Sequence, residues 1–266
     1  MIGRELYRRF YQDEVTALAA QLTYYLVLAF FPFLIFLLTL LSYTTIASEV
    51  LLNNLAWLLP ANNYALVRGI INETVAVRSQ GLLSFGMIIA LWAASNGMNA
   101  VIRGINKAYN QEETRPFWQV RLISILATIF LALVFIFSLA LLVFGQLLGE
   151  VLSTYLGVSL LFVQIWSVMR YVTSLGIMIL VFALVYWLTP NRRLRFSQVL
   201  PGSICTTLGW IIISYGFSYY VNGFANYSIM YGSLGGIIIF LIWLYINSIM
   251  LLLGGEINAV LASKNQ

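Results

Sequence analysis

Six apolar stretches, each long enough to cross a lipid bilayer, take up most of this 266-residue chain. They cover residues 18–43, 82–102, 122–148, 168–188, 200–221 and 234–259. A helix of about 20 apolar residues spans the hydrocarbon core and satisfies its own backbone hydrogen bonds there. The stretches lack the period-2 alternation that membrane-barrel strands need. We therefore predict an all-α polytopic membrane protein with six transmembrane helices in one integral membrane domain, residues 1–266.

The composition excludes a water-soluble globular domain. Charged residues make up 9% of the chain and hydrophobic residues 61%, with a mean hydropathy of +0.91. Soluble domains carry about 25% charged residues. This chain has too few charged side chains to cover a surface that faces water.

Most basic residues fall on one side of the predicted spans, in segments 1–17, 103–121, 189–199 and 260–266. They are Arg4, Arg8, Arg9, Arg103, Lys107, Arg115, Arg121, Arg192, Arg193, Arg195 and Lys264, whereas the other side keeps Arg68, Arg78 and Arg170. Because basic residues near span ends favour the cytoplasm, we predict that both termini are cytoplasmic. The same charges would attract anionic membrane lipids, although topology alone also explains them.

Three segments depart from the simple pattern of spans. Residues 1–17 have the pattern of an amphipathic helix that lies on the membrane surface, with Arg4, Glu5, Arg8 and Arg9 facing water. Pro32 falls in the middle of the first stretch and should kink that helix. Residues 46–80 predict a helical hairpin that lies on the outer leaflet or dips into it.

Four glycines recur every seven residues in and just beyond the fifth stretch: Gly202, Gly209, Gly216 and Gly223. Seven residues are nearly two helical turns, so the glycines form one smooth stripe. Such a stripe lets a neighbouring helix approach closely. A packing interface within the chain is the simpler interpretation, and a sliding or dimerising face, which would give a homo-oligomer, is the alternative.

A polar stripe runs along the second stretch and past its end, through Asn96, Asn99, Arg103, Asn106 and Asn110. On a helix these residues fall within an arc of about 80°. Polar groups inside a membrane are costly and often mark a functional site. The stripe either bonds neighbouring helices or lines a groove that water and lipid headgroups can enter.

A second polar group lies at the end of the sixth stretch, at Glu256 and Asn258. We expect Glu256 to pair with a basic residue of the same side, Arg103 or Arg121. In the first stretch Gln21, Tyr24 and Tyr25 could complete a polar patch at the same depth. Structural pairing and lipid or substrate binding are the two interpretations.

The sequence carries no motif for catalysis. The chain has no histidine, and its single cysteine, Cys205, lies in the fifth stretch. Phosphate-binding loops, serine nucleophile elbows and zinc-protease motifs are absent from the sequence. We therefore expect no catalytic residue, no bound metal, no cofactor and no enzymatic activity.

Four segments in order, 13–32, 96–109, 195–210 and 231–259, make the chain resemble the YihY/virulence factor BrkB family of bacterial inner-membrane proteins. The resemblance implies six spans in the inner membrane. Some members carried the label ribonuclease BN, an activity of zinc-dependent phosphodiesterases. A histidine-free chain cannot supply that site, so ribonuclease activity is not expected. Other members have been linked to serum resistance or lipid export.

Two functions fit these features. In the first, the chain binds or translocates a lipid or other amphiphile for the cell envelope, with the polar stripe and basic residues meeting the headgroup. In the second, it is a non-catalytic scaffold that organises envelope proteins through the glycine stripe and the outer hairpin. The expected partners are membrane lipids, and not nucleic acid, while the glycine stripe permits a homo-oligomer without requiring one.

Overall fold

The computed structural model describes residues 2–42, 80–134, 160–223 and 233–264, and every regular element in these ranges is an α-helix. The seven helices in these ranges are α1 (Ile2–Gln12), α2 (Val15–Ser42), α3 (Gln80–Ala108), α4 (Phe117–Val134), α5 (Leu160–Leu188), α6 (Phe196–Gly223) and α7 (Ser233–Lys264). The predicted all-α class is confirmed for the part of the chain that the structure describes.

Five of these helices are long and apolar enough to cross a membrane, so the chain is a multi-pass membrane protein. The crossing segments are Val15–Phe36, Ser84–Ala108, Phe117–Val134, Phe196–Val221 and Gly235–Ser263. The fourth predicted span, residues 168–188, falls on α5, whose described apolar part, Val172–Leu188, is shorter. The sixth crossing and the sides of the termini stay predictions. Residues 46–79 of the predicted outer hairpin lie outside the described residues.

The helices run past the apolar stretches that predicted them. α3 continues to Ala108, where the apolar run ends at residue 102, and α7 continues to Lys264 rather than residue 259. Asn110 then stops α3 with a positive φ of 51°, and the Gln111 N–H donates to the Asn106 carbonyl at 2.9 Å. This is a Schellman-type end, in which asparagine tolerates the left-handed conformation. Hydropathy marks the part of a helix in lipid, whereas the cap marks its end.

The chain divides into two compact units, Met1–Thr23 with Gly97–Gln266, and Tyr24–Asn96. In the second unit α2 and α3 approach closely at Gly86. A Cβ atom at Gly86 would lie 3.2 Å from the Pro32 carbonyl oxygen. α2 continues as one helix through Pro32.

In the first unit α1 packs against α7. Phe10 contacts a small core that Val15, Ala19 and Leu252 form. The Arg9 guanidinium is 15% exposed and donates to the Ala108 carbonyl at the end of α3, at 2.9 Å. We expected this helix to lie on the membrane surface with Arg9 in water. That expectation is wrong for Arg9, because the last carbonyls of a helix lack partners and a guanidinium can satisfy one.

Candidate functional site

Four helix ends meet at one polar end of the first unit, which we call the basic end. α3, α5 and α7 finish there and α6 begins there. Lys107, Arg115 and Arg192 supply positive charge. The end of the asparagine stripe and the Glu256 segment both lie here.

Asn106 joins the two loops of the basic end. Its side chain is buried, its Nδ2 donates to Glu113 Oε2 at 2.8 Å, and its Oδ1 accepts from the Asn191 backbone N–H at 2.7 Å. Asn191 Nδ2 in turn donates to Thr114 Oγ1 at 2.8 Å. Asn106 therefore bridges the α3–α4 loop to the α5–α6 loop, with protein groups on both of its amide atoms.

Arg115 completes the same loop network. It donates to Glu113 Oε1 at 2.7 Å and Oε2 at 2.6 Å, and to the Thr189 carbonyl at 3.0 Å. The hydrogen bonds from Arg115 hold the pKa of the Glu113 carboxyl below its usual range. The carboxylate that Asn106 and Arg115 share is thus ionised, which strengthens both bonds.

The helices α6 and α7 approach each other through glycines. A Cβ atom on Gly202 would clash with the Gly254 carbonyl oxygen, and one on Gly254 would clash with the side chains of Thr206 and Tyr186. Small residues permit this approach of backbones in membrane proteins. The close packing of α6 against α7 therefore requires glycine at both positions.

Polar groups hold this crossing together. The Tyr186 hydroxyl donates to the Leu251 carbonyl at 2.6 Å and lies 2.7 Å from Thr206 Oγ1, which donates to it. The Gly202 N–H donates to Asn258 Oδ1 at 2.6 Å. Tyr186 and Asn258 are both fully buried. Three helices, α5, α6 and α7, are thereby bonded to one another.

Replacing Tyr186 by phenylalanine should lower the free energy of unfolding by about 1 kcal/mol, between the average of about 0.6 and the maximum of about 1.7 kcal/mol found for interhelical hydrogen bonds in membranes. The ring stays in place, but the Leu251 carbonyl and Thr206 hydroxyl lose their partner. Thermal unfolding of the detergent-solubilised protein, followed by tryptophan fluorescence, measures the loss. Tyr215→Phe is the matched control, since that side chain is 79% exposed on α6. Equal losses in both variants would contradict the assignment.

Glu256 is the most unusual residue of the basic end. It is 1% exposed, and its Oε2 has no hydrogen-bond partner within the described structure. The Tyr109 hydroxyl and Asn258 Nδ2 are likewise buried without a partner among the described residues. Burial raises the pKa of Tyr109 to about 12, so its hydroxyl stays neutral and able to donate.

The expected pairing of Glu256 with Arg103 is not found, because Arg103 is exposed whereas Glu256 is buried, and the alternative pairing with Arg121 stays a prediction. The charged groups that act on Glu256 are Asp13, Arg9 and Lys107, and Arg103 is exposed. The physical reason is the packing of α1 on α7, which brings the α1–α2 turn to Glu256.

The asparagine stripe does not share one environment. Asn96 belongs to the unit Tyr24–Asn96, and Asn99 is half-buried in the other unit. Arg103 is exposed, Asn106 is buried in the loop network, and Asn110 caps α3. The residues of the stripe therefore share one side of the helix but not one environment, and their role in lipid or substrate binding stays a prediction.

The predicted patch in the first span also divides. Gln21 is half-buried in the first unit, whereas Tyr24 and Tyr25 belong to the second. Tyr24 is 60% exposed, and the two rings meet edge to face with centroids 5.5 Å apart. The role of these three residues in lipid or substrate binding stays a prediction.

The glycine stripe on α6 faces α7 for only part of its length. Gly202 lies against Gly254, and a Cβ atom on Gly209 would lie 2.5 Å from Met250 Sδ. Around Gly216 the described residues leave open space within 4 Å. The surroundings of Gly223, the last residue of α6, lie outside the described side chains. Among the described side chains, the expected packing face therefore ends before Gly216.

Three residues of the basic end were not predicted from the sequence: Tyr109, Tyr186 and Thr206. A buried tyrosine hydroxyl usually needs a hydrogen-bond partner, so a tyrosine in an apolar run is a usable signal. Nothing in the sequence, however, identifies Thr206 or Leu251 as the partners of Tyr186.

No metal centre emerges from the described residues. They contain no group of three or more histidine, cysteine, aspartate or glutamate residues placed to hold a metal ion. The expectations of no metal and no cofactor stay predictions.

Comparison with known proteins agrees with this architecture. A sequence model of the virulence factor BrkB family matches residues 6–266. The chain is 44% identical over 263 residues to the ribonuclease-like protein YfkH of Bacillus subtilis (strain 168), covering 99% of this chain and 96% of that protein. It is 27% identical over 264 residues to a UPF0761 membrane protein of Coxiella burnetii (strain Dugway 5J108-111), covering 97% and 91%. No solved structure matches.

The family match covers α2 to α7 and the last seven residues of α1, and it includes Asn106, Tyr186, Glu256 and the glycine crossing. The multi-pass helical structure agrees with the membrane-protein name of the Coxiella relative. The chain therefore belongs to the virulence factor BrkB family of membrane proteins.

Proposed function

We propose that this protein binds a membrane lipid or another amphiphile at its basic end and translocates it for the cell envelope. The observation that carries the proposal is the set of buried polar atoms without partners among the described residues: Tyr109 Oη, Glu256 Oε2 and Asn258 Nδ2. Polar groups left unsatisfied at membrane depth are costly, and they typically mark a substrate or ion pathway. A polar headgroup that reached them would supply the missing bonds.

The surface around the basic end supports an amphiphile. Arg103 is exposed, and an arginine fork matches a phosphate headgroup. Phe117 and Trp118, at the start of α4, are 80% and 67% exposed. Aromatic side chains at this position are typical of the membrane–water interface. A headgroup could thus meet Arg103 while its acyl chains stay in lipid.

The proposal is tested with the purified full-length chain in liposomes that carry a trace of fluorescent phospholipid. A membrane-impermeant reductant quenches only the outer leaflet, so the rate of further loss measures lipid movement. We expect faster movement than in empty liposomes and a loss of at least about tenfold in Glu256→Gln. Glu112→Gln, an exposed acid of the same end, is the control. No acceleration in any of several lipid compositions would overturn the proposal.

We place the protein in the bacterial inner membrane with both termini cytoplasmic, on the distribution of basic residues, and we propose a non-enzymatic role. The ribonuclease-like name of YfkH suggests nucleic-acid cleavage. We do not carry that name over, since this chain has no histidine and one cysteine to supply zinc ligands.

A scaffold is the second candidate, and one observation favours it. Gly216 has open space beside it, and Tyr215 and Tyr219 on the same helix are 79% and 76% exposed. A second copy of the chain could pack there. Disulfide cross-linking of Gly216→Cys in a Cys205→Ala background, in native membranes, tests this. A cross-linked dimer supports the homo-oligomer, and a monomer at every oxidant concentration contradicts it.

A further inference from the structure

Glu256 lies beside the turn between α1 and α2. It is one helical turn beyond Leu252, on the same face of α7, and Leu252 packs against Val15 and Ala19 at the start of α2. Asp13 is in the turn just before Val15. On the other side of Leu252 the Thr23 hydroxyl donates to Ser248 Oγ at 3.2 Å, so α2 and α7 run antiparallel and this register places the turn that contains Asp13 beside Glu256.

The nearby cations already have partners. Arg9 donates to Glu5 at 3.0 Å and to the Ala108 carbonyl at 2.9 Å. Lys107 donates to Glu14 at 2.9 Å. Neither cation is therefore dedicated to Glu256, although both act on it from a distance.

The remaining groups near Glu256 cannot neutralise it. Tyr109 presents a buried neutral hydroxyl, and Arg192 acts on Tyr109. Tyr186 faces Gly254, on another side of α7. An ionised carboxylate that is buried without a cation costs several kcal/mol. Two carboxylates placed together cost more, because like charges oppose each other.

We propose that Asp13 and Glu256 form a carboxyl pair that binds one shared proton. With the proton bound, one carboxyl donates to the other, and the pair carries one negative charge that Arg9 and Lys107 balance from a distance. When the proton leaves, two negative charges face each other across the contact between the α1–α2 turn and α7. That repulsion weakens the docking of α1, so proton binding controls how firmly α1 covers the basic end.

Only the link between this carboxyl pair and transport rests on the proposed function. If the chain translocates an amphiphile, as proposed above, a proton gradient would act on it at Asp13 and Glu256. The proton itself is the ligand, and its binding does not depend on any lipid being moved.

Infrared spectroscopy of the full-length chain in lipid nanodiscs tests the pair. A protonated carboxyl has a carbonyl stretch that a carboxylate lacks and that shifts in deuterated water. We expect this band in the wild type near neutral pH, its loss at high pH, and its loss in Glu256→Gln. In Asp13→Asn the band should vanish at a pH at least one unit lower, because the like charge is gone. Glu112→Gln, an exposed acid, should leave the band unchanged.

Three results would overturn the proposal. The first is a wild type that shows no protonated carboxyl band at any pH above the ordinary pKa of a carboxyl group. The second is a band that persists in Glu256→Gln, and the third is a band that disappears at the same pH in Asp13→Asn as in the wild type. A normal band in a protein that moves no lipid would support the pair and count only against translocation. Monodisperse elution of each variant shows that it is folded.

Discussion

Replacing Gly202 by alanine should be among the most damaging single-methyl changes in the described structure. The new Cβ atom would clash with the backbone carbonyl oxygen of Gly254, which cannot rotate away as a flexible side chain can. Helices α6 and α7 must then separate, which also stretches the 2.6 Å bond from the Gly202 N–H to Asn258 Oδ1. Overpacking of this kind costs about 1–3 kcal/mol, and we expect a value in the upper half of that range.

The measurement is thermal or denaturant unfolding of the solubilised full-length chain, with tryptophan fluorescence as the signal. Gly216→Ala is the matched control, on the same helix and the same heptad register. The described residues leave open space there, and alanine is a better helix former than glycine by about 1 kcal/mol in soluble helices. The control should therefore be as stable as the wild type or more so. If Gly216→Ala loses as much stability as Gly202→Ala, close packing is not the reason for these glycines.

These two glycines also show what the sequence could predict. The seven-residue spacing correctly identified one face of α6, because helix geometry alone determines which residues share a face. It could not say how far along that face α7 stays in contact. That depends on how the two helices cross, and the crossing is set by Gly254, Met250 and Asn258, which lie on another helix.

The helices themselves were predictable for a related reason. An apolar run of this length has few structures open to it in a bilayer, so periodicity and hydropathy sufficed. The ends of the helices were less predictable. α3 continues to Ala108 and stops at Asn110 in the left-handed conformation, a choice that depends on hydrogen bonds to Asn106 and Lys107.

The partner of Glu256 was not predictable from charge alone. Arg103 and Arg121 were reasonable choices, since both lie on the predicted inner side. The structure instead folds α1 back onto α7 through a turn in which Glu14 has a φ of 53°. A positive φ is uncommon for glutamate, so the sequence carries little signal for this turn. The turn is nevertheless what brings Asp13 to Glu256.

Replacing Asn106 by leucine should loosen both loops of the basic end. Leucine has a similar volume but can neither donate to Glu113 Oε2 nor accept from the Asn191 N–H, bonds of 2.8 Å and 2.7 Å in the wild type. Each buried group left without a partner costs about 1–3 kcal/mol. Since Glu113 keeps its bonds from Arg115, we expect a total loss near the middle of that range, about 2 kcal/mol.

The loss should be local, and limited proteolysis can detect it. Glutamyl endopeptidase cleaves after Glu112 in the α3–α4 loop, and trypsin cleaves after Arg192 in the α5–α6 loop, so each of the two loops that Asn106 joins has a cleavage site. We expect several-fold faster cleavage at both sites in Asn106→Leu than in the wild type, because the loops open more often once the bridge is gone. Thermal unfolding of the same samples gives the change in stability.

Asn99→Leu is the control that separates this role from a general need for polar residues on α3. Asn99 lies two turns earlier on the same helical stripe, and it is half-buried rather than buried. Its replacement should leave cleavage at both loop sites unchanged. If the two variants are cleaved equally fast, the asparagines act together as a polar stripe, and the bridge between the loops is not the reason for Asn106. If Asn106→Leu alone is cleaved faster, the stripe is a coincidence of spacing, and its members have separate tasks.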